Sequence, residues 1–466
     1  MRRVSASLDS TGGLLGVTLL VSLSLLLGVA VVDVPALAMP LVLLVSMAIW
    51  VAVRGQLVWW DILVLVVAGP YVLDHGFSNI GVQVPLVDLL AVLLVLRIAT
   101  QPGFRWPDSL PFVLGLAFVS LTVLRLLADY PTYGPLAIRD ATLGAEISFL
   151  LIGYWAIHEY GLPRVVRMLT VVFLVGFVYM ALYPFRDTLH ELSPTVGLNE
   201  PVPLLGGYQG NVVIVAVLFF FPIVRPFRHS YLVAAAALPI VALLQSRGLY
   251  IGVPLTIVLV AVLARARIGM QIRRGLAATL AVGVLAALAF FPFAPEGRLG
   301  EKAELSFVVA QLATLTGGGE EVGTPVETRT AWFEEVTRKV GKTPQTQLVG
   351  LGLGPDLAFG FENEDGVLVR KPHNDFLEIY GRYGILGFAI FMVMFGSAFV
   401  RVVGAARVGT GLAGRFLWFA VAQTFMLALI AATQPLLAFP FGTVPLFFVL
   451  GAALAISVRP RDEWAR

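Results

Sequence analysis

What most constrains this chain is a repetition of length: apolar runs of about twenty residues follow one another with short polar breaks between them. They fall near residues 13–32, 36–53, 58–74, 85–99, 109–128, 140–157, 165–184, 211–224, 231–246, 249–264, 276–294, 381–400, 413–433 and 436–457. Wound as a helix, a run of that length matches the hydrocarbon layer of a bilayer, about 30 Å. In lipid the backbone must satisfy its own hydrogen bonds, so such runs fold as helices. Composition agrees: 58% of the residues are apolar and 13% are charged, more apolar surface than a soluble core can use. The reading is an all-α polytopic membrane protein of about 12–14 transmembrane helices, because the runs at 58–74 and 85–99 are short and interrupted.

Arginines set the expected orientation. With Arg2 and Arg3 in the cytoplasm, the same side collects Arg54, Arg97, Arg105, Arg164, Arg167, Arg225, Arg228, Arg265, Arg267, Arg273, Arg274, Arg401, Arg407, Arg415, Arg459, Arg461 and Arg466. Both termini are then cytoplasmic, in the cytoplasmic (inner) membrane. The first run resembles a signal peptide, with Ala36-Leu37-Ala38 as a cleavage site, but it is too long and a second span follows at once. The organisation read from this is an N-terminal bundle over 1–294 with about eleven spans, an extracytoplasmic loop over 295–378, and about three spans with a tail over 379–466.

The loop stands apart in composition. It holds all the lysines (Lys302, Lys339, Lys342 and Lys371), many acids from Glu301 to Asp365, and a Gly317-Gly318-Gly319 linker. Within it Arg329–Val340 reads as an amphipathic helix, with Trp332, Phe333, Val336 and Val340 at helical spacing. Gly350-Leu351-Gly352-Leu353-Gly354-Pro355 reads as a turn. The chain has no cysteine, which excludes disulfides and thiolate chemistry, and its formal charge of +3 is distributed as topology demands. Nothing in it points to nucleic acid.

A few polar residues stand where a membrane protein needs a reason for them. Arg247, in the tight outer turn Gln245-Ser246-Arg247-Gly248, either snorkels to headgroups or has a task there. His373, in Pro372-His373-Asn374-Asp375, is either a hydrogen-bonded structural residue or a proton carrier at the water–lipid boundary. Arg329 is either a solvated helix residue or an anion ligand. Asn374 and Asp375 either cap the next helix or orient His373 and bind hydroxyls. Arg125, Arg139 and Asp140 lie near the outer ends of two spans and extend a basic cavity, unless Arg139 instead pairs with a neighbouring carboxylate. Asp61 and Asp88, near span ends, read as interfacial or locally paired. His75, His190 and Tyr208 have no metal-ligand spacing.

Taken in order, these elements resemble the bacterial O-antigen ligase and O-antigen polymerase family of membrane glycosyltransferases, which includes the protein O-oligosaccharyltransferases. The resemblance covers about 245–390. It rests on Ser246-Arg247-Gly248, the Arg329-x-x-Trp332 pair, the Gly-rich turn at 350–354, His373-Asn374, and Gly384-Ile385-Leu386-Gly387. It implies transfer of a glycan from a polyprenyl-diphosphate carrier to a hydroxyl of a glycolipid or glycan acceptor, at the outer face of the cytoplasmic membrane. Arg247 and Arg329 then meet the diphosphate, whose departing charge suits guanidinium forks, and His373 activates the acceptor hydroxyl. Arg139, Asn374 and Asp375 contribute to substrate binding. Such a donor is already activated, so no metal and no other cofactor is expected. The competing reading is a transporter or permease for a lipid-linked or small substrate, although no repeated halves with interrupted helices are visible.

Overall fold

The computed structural model describes residues 57–72, 86–191, 195–196, 200–201, 205–264, 266–290, 296–297, 300–302, 304–313, 326–358, 361–362 and 368–458. The first two expected spans, His75, the triple-glycine linker and the C-terminal arginines lie outside them. The described residues are almost entirely helical, apart from two antiparallel pairs of two-residue strands, Thr195–Val196 with Glu200–Pro201 and Phe361–Glu362 with Leu368–Val369. Six of the helices are long and apolar enough to cross a membrane: Leu110–Tyr133, Leu162–Ala181, Gly207–Val224, Asp375–Val408, Gly411–Ala431 and Pro440–Val458. Shorter apolar helices at Val58–Tyr71, Tyr231–Leu244 and Arg247–Leu263 accompany them.

The layering follows from where the apolar side chains go. Gly207–Val224 and Pro440–Val458 are apolar all round and buried over 89% of their apolar stretch, against 22% for Leu110–Tyr133, so the first two are central and the last peripheral. Peripheral does not mean polar. Leu116, Leu124 and Leu127 on that outer helix are more than half exposed. A contiguous apolar outer face of this kind is matched by lipid rather than by water.

Two of the arginine-bearing turns come together. Arg97 lies 5.7 Å over the Trp59 ring, and Arg164 lies 4.4 Å over Trp60 and 5.4 Å over Tyr160. Two turns expected on one face of the membrane are therefore neighbours, ringed by the aromatics typical of a membrane interface.

Two expected spans differ from the sequence reading. The run at 140–157 folds as three consecutive helices, Pro135–Asp140, Thr142–Glu146 and Phe149–Tyr160. Ile147 and Ser148 have ψ of −24° and −21°, and Ser148, Leu150 and Leu151 donate to carbonyls three residues back, so the chain tightens there into 3₁₀ geometry. The span expected at 381–400 belongs to a longer helix, Asp375–Val408, kinked at Gly384, where φ is +65° and ψ is −164°. That conformation favours glycine, and a Cβ there would lie 2.5 Å from both the Gly350 amide nitrogen and the Leu348 carbonyl oxygen. The kink and the Gly-rich turn are thus complementary: Leu351 N–H donates to Gly381 O at 2.8 Å and Gly352 N–H to Arg382 O at 3.1 Å.

Candidate functional site

Among the described residues, the polar segment expected to form a loop contributes three helices, Leu305–Ala313, Val326–Val340 and Pro344–Val349. The middle one is the expected amphipathic helix. Trp332, Val336 and Val340 fall on one stripe at spacings of four, and Arg329 opens the same stripe three residues earlier. Val336 and Val340 pack with Leu357 and Leu377 in a small core separate from the main one, and this core fixes the helix against the N-terminal end of Asp375–Val408. Phe333, read in the same stripe, is 57% exposed, because one residue beyond Trp332 turns it about 100° round the helix. Nearby, burial pulls the Lys339 ammonium below its ordinary range even though Glu335 lies 3.8 Å away, and its Nζ donates to Asp356 O at 3.2 Å.

This docking opens a cleft of about 300 Å³ between the loop helix and the membrane-helix ends, lined by Arg329, Thr330, Trp332, Phe333, Pro372, His373, Asn374, Leu377 and Ala432. The His373 ring lies 5.3 Å from Trp332 and 6.5 Å, edge-on, from Tyr208. Its neighbours in sequence hold it in place. Asn374 Oδ1 accepts the Leu377 N–H at 3.0 Å as an N-cap. Asp375 is buried, and its Oδ2 accepts the Leu436 and Leu437 N–H groups, each at 2.7 Å. Asn374 therefore caps and also lines the cleft, whereas Asp375 ties the histidine segment to the chain before the last helix.

Arg247 opens the helix Arg247–Leu263, after Gln245 in a left-handed conformation. Its Nε donates to Gln311 Oε1 at 2.7 Å, on the loop helix Leu305–Ala313. It does not line the cleft directly, but its turn rests on the segment that does. Gln434 Nε2 donates to Ser246 Oγ at 2.9 Å, Asn211 Nδ2 donates to Gln434 Oε1 at 2.8 Å, and a Cβ on Gly248 would meet Thr433 at 3.2 Å. Ala432, next in the chain, is on the cleft wall.

Behind the cleft lies a buried charge network around a water-sized cavity lined by Asp140, Lys371, Asp375, Glu378 and Arg382, among others. The Arg382 guanidinium reaches Asp140 and Glu378 at 2.8 Å each, Lys371 reaches Glu378 at 3.4 Å, and Arg370 reaches Asp140 at 3.6 Å. Arg139 feels Arg370, Asp140, Glu378 and Arg382 together, so it belongs to this network. The network also clamps the Gly-rich turn: Gly354 N–H donates to Asp140 at 3.0 Å and Leu353 N–H to Asp129 at 2.7 Å, while Arg125 donates to Gly350 O at 3.3 Å.

Of the residues singled out from the sequence, then, Arg329, His373 and Asn374 meet in one cleft, Arg247 stands on its supporting turn, and Arg139 and Asp375 fall into the layer behind. Sequence reasoning missed Gln311, Lys371, Glu378 and Arg382. The i,i+4 spacing of Glu378 and Arg382 was a readable signal of their pairing, but Gln311 carries none, since its partner is remote in the chain. Among known proteins, no family model and no curated sequence matches this chain.

Proposed function

We propose that this chain is a membrane glycosyltransferase that moves a glycan from a polyprenyl-diphosphate carrier to an acceptor hydroxyl at the outer face of the cytoplasmic membrane. One observation carries the reading: Arg329 and His373, far apart in sequence, converge on one cleft at the end of the helices, with the Arg247 turn braced against its wall. In the reaction the acceptor oxygen forms the new bond to the anomeric carbon as the carbon–phosphate-oxygen bond breaks, and the electron pair leaves with the diphosphate. Guanidinium groups of Arg247 and Arg329 take up that charge, and the His373 imidazole takes the hydroxyl proton. The aromatic walls, Trp332 and Phe333, suit a ring-shaped, partly apolar substrate such as a pyranose.

The test is transfer by the chain reconstituted in lipid, given polyprenyl-diphosphate glycan and candidate acceptors, with released polyprenyl diphosphate as the readout. Arg247→Lys loses much of the turnover because a point-charge ammonium cannot reproduce a planar fork, and Arg247→Ala loses more. Wild-type turnover in Arg247→Ala at normal protein levels removes Arg247 from the site. Movement of the intact carrier across the bilayer without release of diphosphate would establish a transporter instead.

The proposed orientation places the outer segment in the periplasm or outside the cell, with about 12–14 spans in all. In this cysteine-free chain, Lys342→Cys, at an exposed position, then reacts with an impermeant maleimide in cells with a permeabilised outer membrane, while Arg407→Cys reacts only after lysis. The reverse pattern inverts the topology.

A further inference from the structure

Away from the cleft, two carboxyl groups meet inside the helix bundle. Asp88, in the first turn of the helix Leu86–Thr100, and Glu146, at the end of the short helix Thr142–Glu146, lie within hydrogen-bonding reach of each other. Asp88 is 7% exposed and Glu146 is fully buried. Glu146 Oε2 accepts from the Thr443 hydroxyl of the last helix. Two of their buried oxygens, Asp88 Oδ1 and Glu146 Oε1, accept from no donor. Ionised carboxylates are acceptors only, so the pair, if both were ionised, would be two acceptors within reach of one another with no hydrogen between them.

The surroundings do not supply the missing charge. Lys371 is the cation whose field reaches Glu146, and its ammonium is already held 3.4 Å from Glu378. On the outer helix packed against Thr142–Glu146, Arg125 and Asp129 pair with each other at 3.7 Å. The helix Leu57–Val72, which packs on Leu86–Thr100, carries Asp61, and this acid sits with Arg97, Glu159 and Arg164 around Tyr160. Among the described residues no third His, Cys, Asp or Glu joins the pair to make a metal site. Two like charges this close and this buried cannot both be ionised, and one proton between them serves as both neutraliser and missing donor.

We propose that Asp88 and Glu146 form a proton-binding site, an acid dyad that holds one shared proton and through it fastens the helix Leu86–Thr100 to Thr142–Glu146 and, by way of Thr443, to Pro440–Val458. The dyad also accounts for the broken run at 140–157. A straight helix there would have no reason to bring Glu146 inward, whereas the tightened turns at Ile147 and Ser148 directly follow the buried carboxyl. The inference stands apart from the transfer chemistry proposed above, since it uses none of the cleft residues.

The experiment is infrared spectroscopy of the full chain in lipid near neutral pH, reading the C=O stretch of a protonated carboxyl group. Wild type shows this band with the amplitude of one acid. Glu146→Gln and Asp88→Asn each remove all of it, because either amide gives its remaining partner a donor without a proton. Loss of half the band in each variant, which means two separate protons, overturns the proposal, as does no difference between wild type and either variant. If the amide variants fold poorly, Thr443→Val keeps both acids and removes only the hydroxyl bond to Glu146. The band then moves in frequency at unchanged amplitude, and an unmoved band overturns the assignment. Loss of the wild-type band on replacing choline by sodium ions also overturns it, in favour of a cation site.

Discussion

His373→Ala lowers transfer turnover by about 10²–10⁴, the usual contribution of a positioned general base, while the protein still inserts and still binds donor. The geometry behind this is specific to the imidazole. Asn374 and Asp375 hold the segment around it, so removing the ring leaves both the cap on Leu377 and the tie to Leu436 and Leu437 in place. A purely structural histidine gives the opposite pattern, with poor expression and near-normal turnover per folded molecule. The pH profile distinguishes a base from a group that only orients the acceptor. A base must be deprotonated to work, so turnover has a limb that rises with pH, and His373→Gln loses that limb. Full turnover with an unchanged limb in His373→Gln moves the base elsewhere in the outer segment.

Arg382→Met is expected to destabilise the protein by about 3–5 kcal/mol, the cost of breaking a buried ion pair by removing one partner. Arg382 is 1% exposed and bridges Asp140 and Glu378 at 2.8 Å each. Without it Glu378 keeps Lys371, whereas Asp140 loses its nearest cation and keeps the more distant Arg370, the field of Arg139 and the Gly354 amide. Asp140 is therefore the source of the cost, and Arg382→Met combined with Asp140→Asn recovers part of it. Denaturant midpoints in detergent measure both effects. A single variant within about 0.5 kcal/mol of wild type would mean that the network contributes little to the fold.

The helices were legible because lipid-length apolar runs and helical period are local signals. Gly207–Val224, Gly411–Ala431 and Pro440–Val458 fall within a few residues of the runs read from the sequence. The run at 140–157, read as one span, is divided into short helices, and the contacts at the division are tertiary: buried Glu146 meets Asp88 and Thr443, which lie 58 and 297 residues away in the chain. The cleft was legible where residue type and sequence neighbours carried it, at Arg329, Trp332 and His373-Asn374. Asp375 was read with them, yet its partners are backbone amides beyond the next two helices, and no spacing in the sequence announces such a contact. Gln311 and Arg247 met for the same reason, across 64 residues.

The backbone-to-backbone contact between the Gly-rich turn and the kink at Gly384 has a mechanical consequence. Elsewhere in a protein interior a shift of one element is partly absorbed by side chains changing rotamer. At Gly350 and Gly384 there is no side chain to yield, and the Leu351 and Gly352 amides are bonded to the carbonyls of Gly381 and Arg382 just before the kink. Turn and kink therefore act as a gear tooth in its notch. The seat of the Gly-rich turn and the angle of the long helix fix each other. A change in the bend of that helix is thus also a change in the position of the turn packed against it.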